Sequence, residues 1–285
     1  MSWAISSKAN VMNNIFSVSN IAWKQHDDPA IFRLLSRYGV NGIEIAPSKL
    51  WDDLEKVTSK QASEYRSLLA DSGFRVPALQ SIFYGCPHLQ VLLPETRGAV
   101  LKRIHLISKL ASNLGAEILV FGAPKNRRRN GMEYSAAFEY ACDVFREAGR
   151  LASEYGCAIG IEANAADYQC DFLTNTADAE RFVMAVDSPG IVLHVDSGTT
   201  ALTHERIGDV LTGRKVPVRH YHISEPMLEN PGISGKVDHA EAFRALKAIR
   251  YAGAVSIEMK MREPDRDNLE TALQFIAGVM NDVGF

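Results

Sequence analysis

Residues 191–196, IVLHVD, place apolar side chains at Ile191, Leu193 and Val195 and polar ones at His194 and Asp196. Successive side chains of a strand point to opposite faces, so the run reads as a strand with one apolar and one polar face. The same parity continues outward in both directions. In 158–164 (AIGIEAN), Ile159, Ile161 and Ala163 alternate with Glu162 and Asn164; in 42–46 (GIEIA), Ile43 and Ile45 flank Glu44. In 218–224 (VRHYHIS), Tyr221 and Ile223 alternate with His220, His222 and Ser224, and in 254–260 (AVSIEMK), Val255, Ile257 and Met259 alternate with Ser256, Glu258 and Lys260. Odd positions are thus expected to face surrounding helices and even positions to face an interior.

Eight β-rich runs of this kind occur, at 15–22, 42–46, 76–83, 117–122, 158–163, 191–196, 218–223 and 254–259. Amphipathic stretches at 29–38, 53–72, 96–114, 133–155, 177–186, 239–251 and 266–283 lie between and after them, several closed by a glycine suited to a left-handed cap: Gly39, Gly73, Gly115, Gly156 and Gly253. Strict β/α alternation with eight strands gives an α/β protein of the (β/α)8 TIM-barrel type. No Pro/Gly/Ser-rich linker divides it, so 1–285 reads as a single domain. A doubly wound open sheet is the alternative, but the first strand is not followed by GxGxxG.

Composition removes other classes. The chain has 285 residues, 31 Lys+Arg against 34 Asp+Glu, a net charge of −3 and 46% hydrophobic residues. Those are globular values, and a polyanion-binding protein would be more basic, so no nucleic-acid partner is expected. No apolar run is long enough for a membrane span, and 1–10 (MSWAISSKAN) lacks a signal-peptide core, so no membrane association and a cytoplasmic location are expected. Cys86, Cys142, Cys157 and Cys170 form no CxxC pair and read as reduced packing residues.

Glu162, Asp196, His222 and Glu258 fall near the ends of strands five to eight. A buried carboxylate is costly unless paired or bound to a cation, and in this fold the C-terminal strand ends carry the chemistry. Three carboxylates and one imidazole converging there read as a site for one divalent metal. Hard oxygen donors with one nitrogen suit Mn2+, Mg2+ or Co2+ better than a closed structural Zn2+.

GIEIAP (42–47), IEAN (161–164), HVDSGT (194–199), HISEP (222–226), PGISGKVD (231–238) and SIEMK (256–260) together resemble the xylose isomerase-like sugar phosphate isomerase/epimerase family, which includes ketose 3-epimerases, hydroxypyruvate isomerases and inosose dehydratases. The resemblance spans almost the whole chain. It implies a metal-dependent isomerase or epimerase of a sugar, keto-sugar or sugar phosphate, with a homodimer or homotetramer as the assembly. It also implies that Glu162 and Glu258 bind the metal and exchange a proton with the substrate through an enediolate. Where epimerases of this kind often carry a histidine, this chain has Thr199, and where they carry an arginine after the metal histidine it has Glu225-Pro226-Met227-Leu228.

Glu44, Gln80, Lys125, Arg127, Asn164, Tyr168, Thr199 and Glu225 are the candidates for substrate contacts, with Asp171 a further polar group. Lys125 and Arg127, in APKNRRRN (123–130), would hold an anionic group. His194 and His220, one layer below, would support the metal ligands. Trp23 and Trp51 would shield the site from water, and Gly232 and Gly235 frame a loop that would close over it. Two other functions share these residues: a metal-dependent dehydratase of a keto-cyclitol or keto-sugar acid, and a non-catalytic sugar-binding barrel. An endonuclease IV-like trinuclear zinc site would need histidines on strands three and four, where the chain has Gln80-Ser81-Ile82 and Val120-Phe121-Gly122.

Overall fold

The computed structural model describes residues 15–285, so the reading of 1–10 lies outside the described residues. Its strands are β1 (Phe16–Ser19), β2 (Gly42–Glu44), β3 (Ala78–Leu79), β4 (Ile118–Phe121), β5 (Ala158–Glu162), β6 (Ile191–Asp196), β7 (Val218–Ser224) and β8 (Ala254–Glu258). They form one parallel sheet in the order β2-β1-β8-β7-β6-β5-β4-β3. Between its two edges only the isolated bridges Gly42↔Arg75 and Ile45↔Leu79 are made. The result is a nearly closed TIM barrel.

The helices are α1 (Asp28–Arg37), α2 (Ser59–Asp71), α3 (Arg97–Leu114), α4 (Tyr134–Glu154), α5 (Thr176–Val186), α6 (Ser197–Leu202), α7 (Ile207–Thr212), α8 (Pro231–Ser234), α9 (His239–Ala248) and α10 (Asp265–Val283). Local chemistry sets several ends. Thr58 and Gln61 make a reciprocal capping box, so α2 begins at Ser59 and the stretch ahead of it is only a short 3-10 turn, Leu54–Lys56. Gly39, Gly73, Gly115 and Gly156 take left-handed conformations, whereas near Gly253 that conformation falls to Arg250. Expected strand 76–83 shrinks to Ala78–Leu79. Pro77 lacks a donor, and Ser81 turns left-handed with φ 53°. Helices α6, α7 and α8 were not expected. They are four to six residues long, too short to show a helical period in the sequence.

The parity reading holds in the packing. Ile43, Ile45, Ile159, Ile161, Leu193, Val195, Tyr221, Ile223, Val255 and Ile257 join the large core between sheet and helices. Inside the barrel, Ala78, Ile118 and Val120 form a small separate apolar cluster with Ala158 and Val192. The rest of the interior is polar and buried, including Ser17, Ser19, Glu44, Gln80, His194, His220, His222 and Ser256. A polar interior on one side of the axis is what positions the site.

Candidate functional site

Parallel register brings the strand ends level. Asp196 pairs with His222 across β6 and β7, and Ser224 with Glu258 across β7 and β8. His222 Nδ1 lies 3.2 Å from Glu258 Oε2 and 3.8 Å from Asp196 Oδ2. One ligand atom from each of these three residues falls within 4.8 Å of the others. Asp196 is fixed by the Thr199 N–H, which donates to its Oδ1 at 2.6 Å, and by the Ser224 hydroxyl, which donates to its Oδ2. It thereby also caps α6.

Glu162 faces the same space but stands apart from that group of three. Asn164 Nδ2 donates to its Oε1 at 2.7 Å. Its carboxylate lies over Gly122, where a Cβ would come within 2.6 Å of Oε2, so a side chain at that position would push the carboxylate from its place. Burial, then the charges of Asp196 and Glu258, push the Glu162 carboxyl up to about 8. Glu258 is also raised, by burial and then by Asp196 and Glu44, against the lowering effect of His222.

A second layer lies beneath. Glu44 is fully buried; its Oε1 is 3.0 Å from His222 Nε2 and its Oε2 is 3.1 Å from His220 Nε2. Burial works against its charge, but His222 and His220 outweigh that and hold the carboxyl well below the usual range. His194 packs edge-on against the His222 ring at 4.2 Å, and burial drives its pKa down. Glu44 thus lies below the cavity and does not line it, where its sequence position suggested a substrate contact. It is the carboxylate that fixes the ring orientation of His222 from below, the arrangement that commonly supports a metal-bound imidazole.

These contacts test whether a cation fits. Burial opposes charge on His222, yet Glu44 and Glu258 raise its pKa well above the ordinary value. Nε2 already faces Glu44, so the demand for positive charge is at Nδ1, between Asp196 and Glu258. A proton or a divalent cation answers the same demand. With Glu162 adding a third carboxylate nearby, the doubly charged ion answers it more fully, and oxygen-rich donors with one imidazole suit a hard divalent ion.

Over the carboxylates lies a cavity of about 480 Å³. Among the expected contacts, Gln80, Lys125, Asn164, Tyr168 and Thr199 line it together with Glu162, Asp196 and Glu258. Tyr168 is held by the Met227 N–H, which donates to its hydroxyl oxygen at 2.9 Å. Gln80 is anchored by its amide to the Ser19 hydroxyl. Two further expectations are corrected. Arg127 is only 1% exposed; its Nη1 donates to the Glu162 carbonyl at 2.6 Å and its Nε to Cys170 Sγ at 3.3 Å, so it builds the wall behind β5. Glu225 is fully buried; it accepts from the Lys236 N–H at 3.1 Å and pairs with His239 at 3.1 Å, which fastens the 231–238 segment.

The shield also differs from expectation. Trp23 is buried and donates its indole N–H to Asp28 at 2.7 Å, while Trp51 packs on Tyr65 with ring centres 6.0 Å apart. Neither lines the cavity. Ile82, Phe83, Tyr84 and Leu228 do. Asp171 accepts from the Arg129 N–H at 2.9 Å instead of facing the cavity. The alternation of residues 76–83 predicts a strand through 82–83, but the left-handed turn at Ser81 ends it and carries Ile82 and Phe83 to the cavity.

Comparison with known proteins agrees with this architecture. The xylose isomerase-like TIM barrel family matches residues 32–279, and the chain belongs to that family. Similar solved structures include a D-psicose 3-epimerase from Clostridium cellulolyticum H10, at 14% identity and a TM-score of 0.75, covering 95% of this chain and 98% of the other. A 3-keto-D-glucoside 4-epimerase from E. coli is 18% identical with a TM-score of 0.72, covering 95% and 99%. A sugar phosphate isomerase/epimerase from Parabacteroides distasonis ATCC 8503 is 14% identical with a TM-score of 0.73, covering 96% of each chain. At these identities the likeness is one of fold.

Proposed function

We propose that the protein is a divalent-metal-dependent isomerase or epimerase of a sugar or keto-sugar. The observation that carries this is the convergence of Asp196, Glu258 and His222 Nδ1 beneath the cavity, with Glu162 facing the same space. The family and the named activities of its structural relatives support the same reading. Asp196, His222 and Glu258 would hold the ion, and Glu162 would join them on leaving its bond to Asn164. Mn2+, Mg2+ and Co2+ fit this donor set. Once bound, the ion supplies Lewis-acid polarisation of a substrate carbonyl and its neighbouring hydroxyl.

The protein's own groups do the rest. Glu162 and Glu258 approach the bound sugar from β5 and β8, and each can take or return the proton on the carbon beside the carbonyl. In the metal-free protein burial and the neighbouring carboxylates raise both carboxyls, so each holds a proton more readily than an ordinary carboxylate until the ion displaces it. Return on the opposite face inverts the centre; return to the adjacent carbon moves the carbonyl. Glu44 keeps the His222 ring turned so that Nδ1 faces the cavity. Gln80, Asn164, Tyr168 and Thr199 present hydrogen-bonding groups to the sugar hydroxyls, and Lys125 stands at the rim. Ile82, Phe83 and Leu228 limit water at the reacting carbon.

The test is proton–deuterium exchange followed by NMR. Metal-loaded protein in D2O is incubated with a panel of ketoses, aldoses, keto-glycosides and sugar phosphates beside a chelator-treated control. Metal-dependent deuterium incorporation next to a carbonyl is the expected result. Stoichiometric metal binding without exchange in any panel member would overturn the catalytic reading.

A further inference from the structure

A second cavity, of about 820 Å³, opens at the other end of the barrel. Much of its lining comes from segments that lead into strands: 75–77 before β3, Glu117 before β4, 214–217 before β7 and 249–253 before β8. It shares no lining residue with the cavity over Glu162, Asp196 and Glu258. Its charge is one-sided. Arg66, Arg75, Arg214, Lys215, Arg219 and Arg250 line it against a single carboxylate, Glu117, in a chain whose net charge is −3.

These cations are short of partners. Among the described residues, the side chains of Arg66, Arg75, Lys215, Arg219 and Arg250 make no ion pair or hydrogen bond. Arg214 has only Glu180, at 3.4 Å, and its Nε and Nη1 are buried without a hydrogen-bond partner. Glu180 itself is engaged by the backbone N–H groups of Lys215 and Val216. Residues 1–14, MSWAISSKANVMNN, contain no Asp or Glu and so bring no countercharge. Like charges gathered round one cavity repel one another, and a bound anion relieves that repulsion.

Topology divides the cations into two groups. Arg66, in α2, and Arg75 belong to the approach to β3, whereas Arg214, Lys215 and Arg219 belong to β7 and Arg250 leads into β8. In the sheet order β3 and β7 stand four strands apart, on opposite sides of an eight-stranded barrel. Gly115 leaves room for the first group: a Cβ there would come within 2.8 Å of Arg66 Cζ. Guanidinium forks match phosphate oxygens, and one phosphate can satisfy one side only. Phe74, Leu114, Leu211 and Ile249 add apolar lining, Ile249 being 38% exposed, which suits a carbon frame between the charges.

We propose that this end of the barrel binds a small organic molecule bearing at least two phosphate groups, one held by Arg66 and Arg75 and the other by Arg214, Lys215, Arg219 and Arg250. The ligand is distinct from the substrate, since the two cavities open at opposite ends of the strands. Its nearest approach to the metal ligands is through His220, which lines this cavity and also meets Glu44, the partner of His222.

Calorimetric titration of the full-length protein, loaded with stoichiometric Mn2+, tests this with 1,3-propanediol bisphosphate, 1,6-hexanediol bisphosphate and hexyl phosphate. None of these is a sugar, and hexyl phosphate has the apolar stem with one charge group only. One bisphosphate per chain is expected, bound about tenfold or more tighter than hexyl phosphate and weakening as salt is raised. Arg75→Ser and Arg219→Ser, taken from opposite sides, should each reduce the bisphosphate affinity about tenfold and bring it toward that of hexyl phosphate. Both side chains are exposed, so the variants are expected to fold, and thermal melts check this. The two linker lengths sample the span between the groups, and a gain with either supports the inference. Equal affinity for bisphosphate and hexyl phosphate overturns it. So does bisphosphate binding that survives in both arginine variants, or that is lost in Lys125→Ala, which would place the ligand in the other cavity.

Discussion

Glu44 and Glu258 are both glutamates at inward-facing strand positions, and both lie against His222, one at each ring nitrogen. Glu44 has a second imidazole, His220, and no other carboxylate against it, and its carboxyl is held well below the usual range. Glu258 shares its one imidazole with Asp196, feels Glu162 as well, and is raised. In the lower layer the charge of Glu44 is balanced by His220 and His222, while both ring nitrogens of His194 and Nδ1 of His220 are buried without a hydrogen-bond partner. The upper layer holds more negative charge than its own side chains can balance. Residue type is the same in both places, so it is the ratio of carboxylates to imidazoles that separates a structural pair from a cation site.

Four substitutions or conditions can break this contrast. The largest effect is expected from Glu258→Gln, which removes a ligand and a proton-transfer group together. Turnover should fall by about 10³-fold or more, while the thermal midpoint in chelator stays level or rises because one crowded charge is gone. A marked drop in that midpoint would mean that Glu258 is structural. Next comes Glu44→Gln. It should weaken divalent-metal affinity by about 10- to 100-fold and destabilise the metal-free fold by about 3 kcal/mol or more, read by calorimetry and denaturant unfolding. Unchanged metal affinity would detach the lower layer from the upper.

The third effect concerns pH. Glu162 stays protonated in the metal-free fold up to about 8, whereas in the unfolded chain it releases its proton near 4.5. A carboxyl raised in this way favours the fold at low pH, and that contribution is lost as pH rises through the window between the two values. The chelator-treated protein should therefore melt several degrees lower at pH 8 than at pH 5.5. Metal-loaded protein should show the opposite trend, because ion and protons compete for the same carboxylates. Parallel melting curves with and without metal would contradict the contrast. The smallest change is expected from His194→Gln, since His194 meets His222 only through its ring. Metal affinity should stay near that of the unaltered protein, against the large loss for Glu44→Gln.

The inward positions of β5 to β8 were legible in the sequence because a period of two survives wherever one face is buried apolar and the other polar. The four strand-end residues followed from that alone. What the sequence could not convey is which layer of the barrel a polar residue occupies. Glu44 has the same parity as Glu258, but its carboxylate meets the imidazoles of His220 and His222 instead of the cavity. The basic run Arg127–Arg129 misled for a related reason. Position near a rim does not fix where a long side chain turns, and all three guanidinium groups find partners within the β4 and β5 loops. Glu225 was misplaced by its nearness to His222, although its partner His239 lies fourteen positions further on.

Titration of chelator-treated protein with Mn2+ by calorimetry, at two pH values, tests the cation site most directly. The account predicts one ion per chain, proton release that grows as pH is lowered from 8, and loss of binding in Asp196→Asn and Glu258→Gln with the fold retained. Absence of binding to the unaltered protein, or binding that survives in both variants, would contradict it.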